Sequence, residues 1–259
     1  MEWFKIRSFI TFLLVSTNQH GVHSPFVYDL VTKCFNTKTN PSKMNAFNKI
    51  RKSLYASHKN ITITDYGKGS SFFKNNERKV SDIAKIAGIS AKRAKLLLRI
   101  IDYFKPKNIL EIGTSVGLGT SVLSIGNPEA EIITLEGCEN TAQIAKELFN
   151  TNHFNNIQLV VGNFNKTLSS VIKNKQYDLI YFDGNHQKKA TLDYFNQSLE
   201  TANNDSVFIF DDINWSPEMQ LAWKDIKNHP KVTITINTFF WGIVFFRKEQ
   251  EKQHFTIRI

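Results

Sequence analysis

Acidic side chains follow two apolar runs in the second half of the sequence. Asp183 ends the predicted strand 177–183, Asp211 ends the predicted strand 206–211, and Asp212 follows it. An ionised carboxylate beside buried apolar residues needs a partner, because an unpaired buried charge is costly. Three carboxylates at two strand ends suit magnesium or a similar divalent cation. The alternatives are that Asp183 only contacts a cofactor and that Asp211 or Asp212 caps the following turn.

His186 lies three residues after Asp183. Histidine exchanges a proton near neutral pH, so this side chain can serve as a general base or orient a substrate hydroxyl. Asp183 and His186 are therefore the candidate catalytic residues. The competing interpretation is a loop histidine that bonds to neighbouring backbone.

A glycine-bearing turn links a strand to a helix after Asn108-Ile109-Leu110-Glu111-Ile112. Glycine lets the backbone approach a ligand closely, and such turns are general nucleotide sites. A dinucleotide fold would have Gly-x-Gly-x-x-Gly, whereas this turn has Gly-x-x-x-Gly-x-Gly, which disfavours a nicotinamide cofactor. The candidate cofactor-binding residues here are Glu111, Gly113, Thr114, Ser115, Gly117 and Gly119.

Glu136 ends the next apolar run, 25 residues after Glu111. A carboxylate at that strand end can accept hydrogen bonds from both hydroxyls of a ribose. The alternative is a solvated acid at the end of a strand.

From Asn108 onward, short apolar runs alternate with amphipathic helical stretches, the pattern of a parallel sheet covered on both faces. The last two runs are separated by almost nothing and predict a hairpin. We therefore expect a Rossmann-like, doubly wound, mostly parallel seven-stranded sheet with an antiparallel C-terminal hairpin. The predicted strands are 108–113, 131–135, 157–161, 177–183, 206–211, 232–237 and 239–246.

Helix starts are indicated by capping residues. Ser90 begins a predicted helix to Phe104, Asn140 is expected to cap another, and Ser216-Pro217-Glu218 opens a third. We expect residues 1–80 to form a basic helical N-terminal extension or lid and residues 81–259 to form the catalytic domain. The polar stretch 65–71 is a predicted loop or lid.

The positive charge is concentrated in the first part of the chain. Residues 1–107 carry 20 Lys and Arg against 6 Asp and Glu, whereas residues 108–259 carry 13 against 17. A basic segment can steer an anionic partner such as a nucleic acid, a phosphorylated sugar or a membrane surface. A solvated basic face that only maintains solubility is the alternative.

The N-terminal apolar run, residues 9–15, follows Lys5 and Arg7. It is too short to span a bilayer and no small-residue cleavage site follows it, so we expect a docking helix and no transmembrane segment. Cys34 and Cys138 have neither disulfide nor zinc-site spacing, which favours a reducing, cytoplasmic setting. A homo-oligomer is one expectation for the assembly.

The turn with Glu111 before its first glycine resembles motif I of class I S-adenosylmethionine-dependent methyltransferases. The resemblance covers about residues 90–247 and implies that the turn contacts the methionine part of S-adenosylmethionine and that Glu136 binds its ribose. Asn163 stands where the family usually has an acid near the adenine, so it becomes a further candidate cofactor residue. Asp183 is another.

The Asp183 and Asp211-Asp212 arrangement is similar to that of metal-dependent O-methyltransferases of the catechol, caffeoyl-coenzyme A and macrolide-sugar types. This resemblance implies that Asp183, Asp211 and Asp212 bind a divalent metal. It also implies that the methyl acceptor is a hydroxyl of a small molecule or sugar, and an anionic acceptor is one possibility. Two alternatives stay open: methylation of RNA held by the basic N-terminal region, which is less favoured, and a non-catalytic scaffold that binds S-adenosylmethionine.

Overall fold

The computed structural model describes residues 2–64 and 76–259 of the 259-residue chain. The predicted loop or lid at residues 65–71 lies outside them. The chain divides into two compact units. The terminal unit comprises Met1–Asn36 and Ile172–Ile259, and the central unit comprises Thr37–Val171. The predicted boundary at residue 80 stays a prediction.

The described residues form helices and strands that alternate from β3 to β8, as the sequence predicts. The α-helices are α1 (Glu2–Val15), α2 (Pro25–Leu30), α3 (Pro41–Tyr55), α4 (Val80–Ile86), α5 (Ala91–Phe104), α6 (Leu118–Gly126), α7 (Glu139–Thr151), α8 (Phe164–Ile172), α9 (Lys188–Ser198) and α10 (Pro217–Asn228). The strands are β1 (Asn60–Thr62), β2 (Glu77–Lys79), β3 (Asn108–Ile112), β4 (Glu131–Glu136), β5 (Ile157–Val161), β6 (Leu179–Phe182), β7 (Val207–Phe210), β8 (Ile234–Asn237), β9 (Gly242–Phe245) and β10 (Gln253–Thr256).

In the central unit, β4 lies between β3 and β5 and pairs with both in parallel. Ile109 stands opposite Ile132 in this register, and both are fully buried. Buried β-branched side chains on adjacent strands are what a covered parallel sheet requires. A separate ribbon, β1 and β2, pairs antiparallel.

In the terminal unit, β6 and β7 are parallel, and β9 pairs antiparallel with both β7 and β8. The predicted C-terminal hairpin and the mostly parallel α/β class are confirmed. The number of strands is corrected, because eight described strands lie outside the β1–β2 ribbon. The additional strand, β10, pairs in parallel with β8. Its sequence, Gln-His-Phe-Thr, has no apolar run that would have indicated a strand.

Two predicted helix starts are confirmed and one is corrected. The Ser90 hydroxyl accepts a hydrogen bond from the Arg93 amide, and the Ser216 hydroxyl accepts one from the Met219 amide. However, α7 begins at Glu139, with Cys138 as its N-cap. Asn140 lies inside that helix, and its side-chain amide donates to the Thr62 carbonyl at 2.7 Å instead.

Helix α1 is docked within the terminal unit, as expected. Phe12 is buried and packs against Phe239. Beyond the helix, the Thr17 amide donates to the Thr256 carbonyl and the Thr17 carbonyl accepts from the Arg258 amide, which extends the β10 edge. Among the described residues, no helix is both long and apolar enough to cross a membrane.

Candidate active site

The turn after β3 adopts backbone conformations that favour glycine. Gly117 has a φ of 87°, and a Cβ at this position would lie 2.8 Å from a ring carbon of Phe149. A side chain here would therefore meet both backbone strain and a steric clash. The Gly113 and Thr114 amides donate to the Leu135 carbonyl at 3.0 and 3.1 Å, which attaches the turn to the end of β4. Gly119 lies in the first turn of α6.

Glu111 lies beneath this turn and is fully buried. Its Oε2 accepts hydrogen bonds from the Thr134 hydroxyl at 2.6 Å and from the Thr120 hydroxyl. Its Oε1 has no hydrogen-bond partner among the residues that the structure describes. Burial raises the pKa of Glu111 to about 7, although the two hydroxyls act in the opposite direction. The sequence analysis missed both threonines, although Thr134 stands directly opposite Glu111 in the strand register.

Glu136 connects the end of β4 to the turn. Its Oε2 accepts from the Ser115 amide at 2.7 Å and its Oε1 from the Cys138 amide at 2.9 Å. Burial raises the pKa of Glu136, and these amide hydrogen bonds counteract it. Glu136 Oε1 also accepts from the Thr141 hydroxyl at 3.4 Å, so about one of the roughly four acceptor positions of an ionised carboxylate is left for a hydroxyl donor. The structure thus brings together Ser115 and Glu136, two predicted cofactor residues.

Asn163 is exposed at the start of α8. Its side-chain oxygen accepts a hydrogen bond from the Asn165 amide at 2.9 Å, and its carbonyl accepts from the Lys166 and Thr167 amides. Asn163 therefore caps this helix, and its predicted adenine contact stays a prediction.

Asp183 and His186 lie on the loop after β6 in the terminal unit. His186 Nε2 is 3.8 Å from Asp183 Oδ1, and both side chains are only partly exposed. Between them, Asn185 has a φ of 51°, and its side-chain amide donates to the Tyr194 hydroxyl at 3.5 Å. The predicted catalytic pair is thus brought together on a loop that contains one residue with left-handed backbone.

Asp211 and Asp212 follow β7, but they do not form the predicted metal cluster with Asp183. Among the described residues, no group of three or more His, Cys, Asp or Glu side chains is placed to hold a metal ion. Asp211 is buried. Its Oδ1 accepts from the Asp212 amide at 2.8 Å and its Oδ2 from the Tyr181 hydroxyl at 3.4 Å. Each oxygen of Asp211 thus accepts one hydrogen bond within the chain, and the assignment of Asp183, Asp211 and Asp212 as metal ligands stays a prediction.

A small pocket of the terminal unit brings His186 and Asp211 together. Tyr194 is a pocket residue that the sequence analysis missed, and burial raises the pKa of its hydroxyl. Its place in α9, eight residues after His186 along the chain, carries no sequence signal of its own. The pocket is lined by Phe182, Gly184, His186, Thr191, Tyr194, Phe210, Asp211 and Met219.

Comparisons with known proteins bear on this arrangement. Residues 110–213 match the model of a methyltransferase domain family, and this segment contains every candidate site residue. These residues are thus similar to a methyltransferase domain. The chain is also 26% identical over 135 residues to a catechol O-methyltransferase of Mycobacterium tuberculosis, covering 51% of this chain and 60% of that protein. It thus spans about three fifths of the curated relative's length.

Solved structures share the fold of this chain. An S-adenosylhomocysteine-bound methyltransferase of Podospora anserina matches with a TM-score of 0.59 at 17% identity, covering 88% of this chain and 97% of that one. An O-methyltransferase of Bacillus cereus, in complex with the same nucleoside, matches with a TM-score of 0.54 at 19% identity, covering 85% and 95%. The predicted resemblance to class I S-adenosylmethionine-dependent O-methyltransferases is confirmed at the level of the family.

Proposed function

We propose that this methyltransferase transfers the methyl group of S-adenosylmethionine to a hydroxyl oxygen of a small molecule or sugar. The hydrogen bond between the Ser115 amide and the Glu136 carboxylate carries the proposal. This hydrogen bond joins the glycine-bearing turn to the carboxylate that is predicted to bind the ribose, and both lie within one compact unit. The name of the curated relative, a catechol O-methyltransferase, supports a hydroxyl acceptor.

The turn and Glu136 fit the cofactor chemically. The absence of a Cβ at Gly117 lets the turn pack against the Phe149 ring, which fixes the backbone against which the cofactor's methionine part would lie. Glu136 is held by two amides, so its carboxylate is already oriented before ribose hydroxyls arrive. Such preorganisation lowers the ordering cost of binding.

When bound, S-adenosylmethionine supplies a methyl carbon that leaves its sulfonium sulfur, with the C–S electron pair staying on sulfur, for the acceptor oxygen. The chain's own task is to position the acceptor and to accept its hydroxyl proton. We assign proton acceptance to the His186 imidazole, which the neighbouring Asp183 carboxylate orients. Positioning supplies much of the rate in such a transfer.

Assistance by magnesium or another divalent cation has less support. The side-chain oxygens of Asp211 already accept hydrogen bonds from Asp212 and Tyr181, and the described acids do not converge on one point. The three carboxylates therefore do not fit a metal as they are arranged, and we derive no step through one.

Calorimetry with S-adenosylhomocysteine tests the cofactor site. We expect the folded protein to bind it and Glu136→Gln to weaken binding by about tenfold or more, because a hydrogen bond to a charged group contributes about 1.5 to 3 kcal/mol. Glu147→Gln is the matched control, since Glu147 is an exposed acid on α7 paired with Lys59. If well-folded protein takes up no nucleoside, the proposal is wrong.

Turnover separates an enzyme from a scaffold. The protein is incubated with methyl-labelled S-adenosylmethionine and a panel of phenols, catechols and sugars, and transfer to a hydroxyl is the expected result. Binding of the nucleoside without transfer to any acceptor would favour the non-catalytic scaffold.

RNA is a second candidate acceptor because the central unit carries most of the net charge. It has 19 Lys and Arg against 10 Asp and Glu. Electrostatic binding to phosphates weakens steeply with salt. Salt-sensitive retention of RNA, together with methyl transfer to it, would favour this candidate over a small-molecule acceptor.

A further inference from the structure

The outer face of helix α1 is apolar and exposed. Six large side chains on it are between 39% and 84% exposed, and we call them the α1 stripe: Trp3, Ile6, Phe9, Ile10, Leu13 and Leu14. They cover an arc of about 140° at 100° per residue. A patch of this kind on a folded protein usually marks an interaction surface.

The opposite face of α1 is held in place by the terminal unit. Phe12 packs on Phe239, the Ser8 hydroxyl accepts a hydrogen bond from Gln220 at 3.0 Å, and the Lys5 ammonium lies over the Trp215 ring. A free helix of this length would be marginal in water. Because α1 is docked, the α1 stripe is presented in a fixed orientation and loses little entropy when a partner covers it.

The spacing within the α1 stripe matches a helix-to-helix seam. Trp3, Ile6, Ile10 and Leu13 follow one another at intervals of three, four and three residues, which are the a and d positions of a heptad. Two copies of this face can pack on each other about a two-fold axis, since such an interface is formed by the same patch on both subunits.

The area of the α1 stripe is close to that of a stable interface. Taking about 200 Å² for a fully exposed large apolar side chain, the six exposed fractions amount to roughly 700 Å² per subunit. Standard interfaces bury about 800 Å² per partner. Phe240, which stacks edge-on against Phe239, is 48% exposed and enlarges the patch.

Charge favours a second copy over an anionic membrane as the occupant. The terminal unit, which carries α1, has 14 Lys and Arg against 13 Asp and Glu and is therefore almost neutral. Binding of an apolar helix to anionic lipid gains from clustered basic residues. A near-neutral apolar face instead allows two identical surfaces to meet without strong repulsion. We propose that the methyltransferase forms a homodimer through the α1 stripe.

Sedimentation equilibrium of the full chain, from low to high micromolar concentration, tests the dimer. We expect the wild type to dimerise and Ile10→Lys to raise the dissociation constant at least 100-fold. Ile86→Lys is the control, because Ile86 is similarly exposed on α4. A wild type that stays monomeric, or a dimer that Ile10→Lys leaves intact, overturns the proposal. Circular dichroism of both variants verifies that they are folded.

Cross-linking provides a second measurement that does not depend on a disruptive charge. Cys34 and Cys138 are buried free thiols, so an added surface thiol becomes the reactive one. Under a mild oxidant, Ile6→Cys or Ile10→Cys should give a disulfide-linked dimer, whereas Ile86→Cys should not. Equal cross-linking of all three overturns the proposal. So does a monomer that floats with phosphatidylcholine–phosphatidylglycerol vesicles, because a membrane would then be the occupant.

Discussion

The Thr134 hydroxyl donates a hydrogen bond to the Glu111 carboxylate from the directly opposite position on the neighbouring strand, at 2.6 Å. This contact, with that of Thr120, satisfies only Oε2 of a fully buried acid. The floor of the glycine-bearing turn therefore contains a carboxyl group whose proton is held more tightly than in water. Its protonation state changes within the physiological pH range.

We predict that Glu111→Gln flattens the dependence of stability on pH. The pKa of Glu111 rises from 4.5 to about 7 on folding, so the unfolded chain releases this proton first. The raised pKa does not affect the free energy of unfolding below about pH 4.5. It lowers this free energy as the pH rises towards 7, and the full loss is present above pH 7. We expect urea unfolding to show that the free energy of unfolding of the variant, relative to that of wild type, increases by roughly 2 to 3 kcal/mol between pH 5 and pH 8.

The control for this experiment is Glu147→Gln, which removes an exposed acid from the same unit. Its free energy of unfolding should differ from that of wild type by less than about 1 kcal/mol at both pH values. Parallel pH curves for Glu111→Gln and wild type would contradict the prediction, because Glu111 would then have the same pKa in the folded and unfolded chains.

A second prediction concerns the turn. Gly117→Ala places a Cβ 2.8 Å from the Phe149 ring at a φ of 87°. We expect a loss of about 2 kcal/mol or more in the free energy of unfolding. The affinity for S-adenosylhomocysteine, measured by calorimetry, should fall at least tenfold because the turn must shift.

Ser115→Gly is the matched variant for the turn. Ser115 also has a positive φ, of 51°, but its contact with Glu136 uses the backbone amide, which glycine keeps. This variant should retain nucleoside affinity within about threefold and stability within about 1 kcal/mol. Equal behaviour of the two variants would mean that backbone conformation at Gly117 does not shape the site.

Local features of this fold could be predicted from the sequence, whereas long-range pairings could not. The strands β3 to β9 and the Ser90 and Ser216 caps follow from apolar runs and capping chemistry within a few residues. Thr134 and Thr120 escaped notice because their approach to Glu111 depends on strand register and helix placement. Strand β10 has little apolar character of its own and is defined by its pairing with β8.

The sequence likewise predicts some parts of the candidate site and not others. The hydrogen bond between the Ser115 amide and the Glu136 carboxylate agrees with the order of the two motifs in the sequence, because the carboxyl ends of parallel strands lie at the same edge of a sheet. The metal cluster was expected from the same rule, but strand order does not determine side-chain direction. Asp211 turns to the Asp212 amide and the Tyr181 hydroxyl, and a sequence does not reveal such local competition for a carboxylate.

A third prediction tests proton acceptance by His186. With an acceptor identified from the panel, His186→Gln should lower kcat by about 100-fold or more, the usual contribution of a general base. Binding of S-adenosylhomocysteine should stay unchanged, and the acidic limb of the pH profile of kcat should be lost. The control is His23→Gln, since His23 is an exposed histidine near the N-terminus. An unchanged pH profile in His186→Gln would assign this histidine a structural role only.

The last prediction concerns divalent metal. Because both oxygens of Asp211 accept hydrogen bonds within the chain and the described acids form no metal-binding group, chelation with EDTA should leave the rate of methyl transfer within about twofold. Asp211→Ala should instead reduce stability, since it removes the acceptor of the Tyr181 hydroxyl from a buried position. Such a change typically costs about 1 to 3 kcal/mol. Loss of transfer on chelation, restored by added magnesium, would show that the carboxylates rearrange around a cation and would reinstate the metal-dependent route.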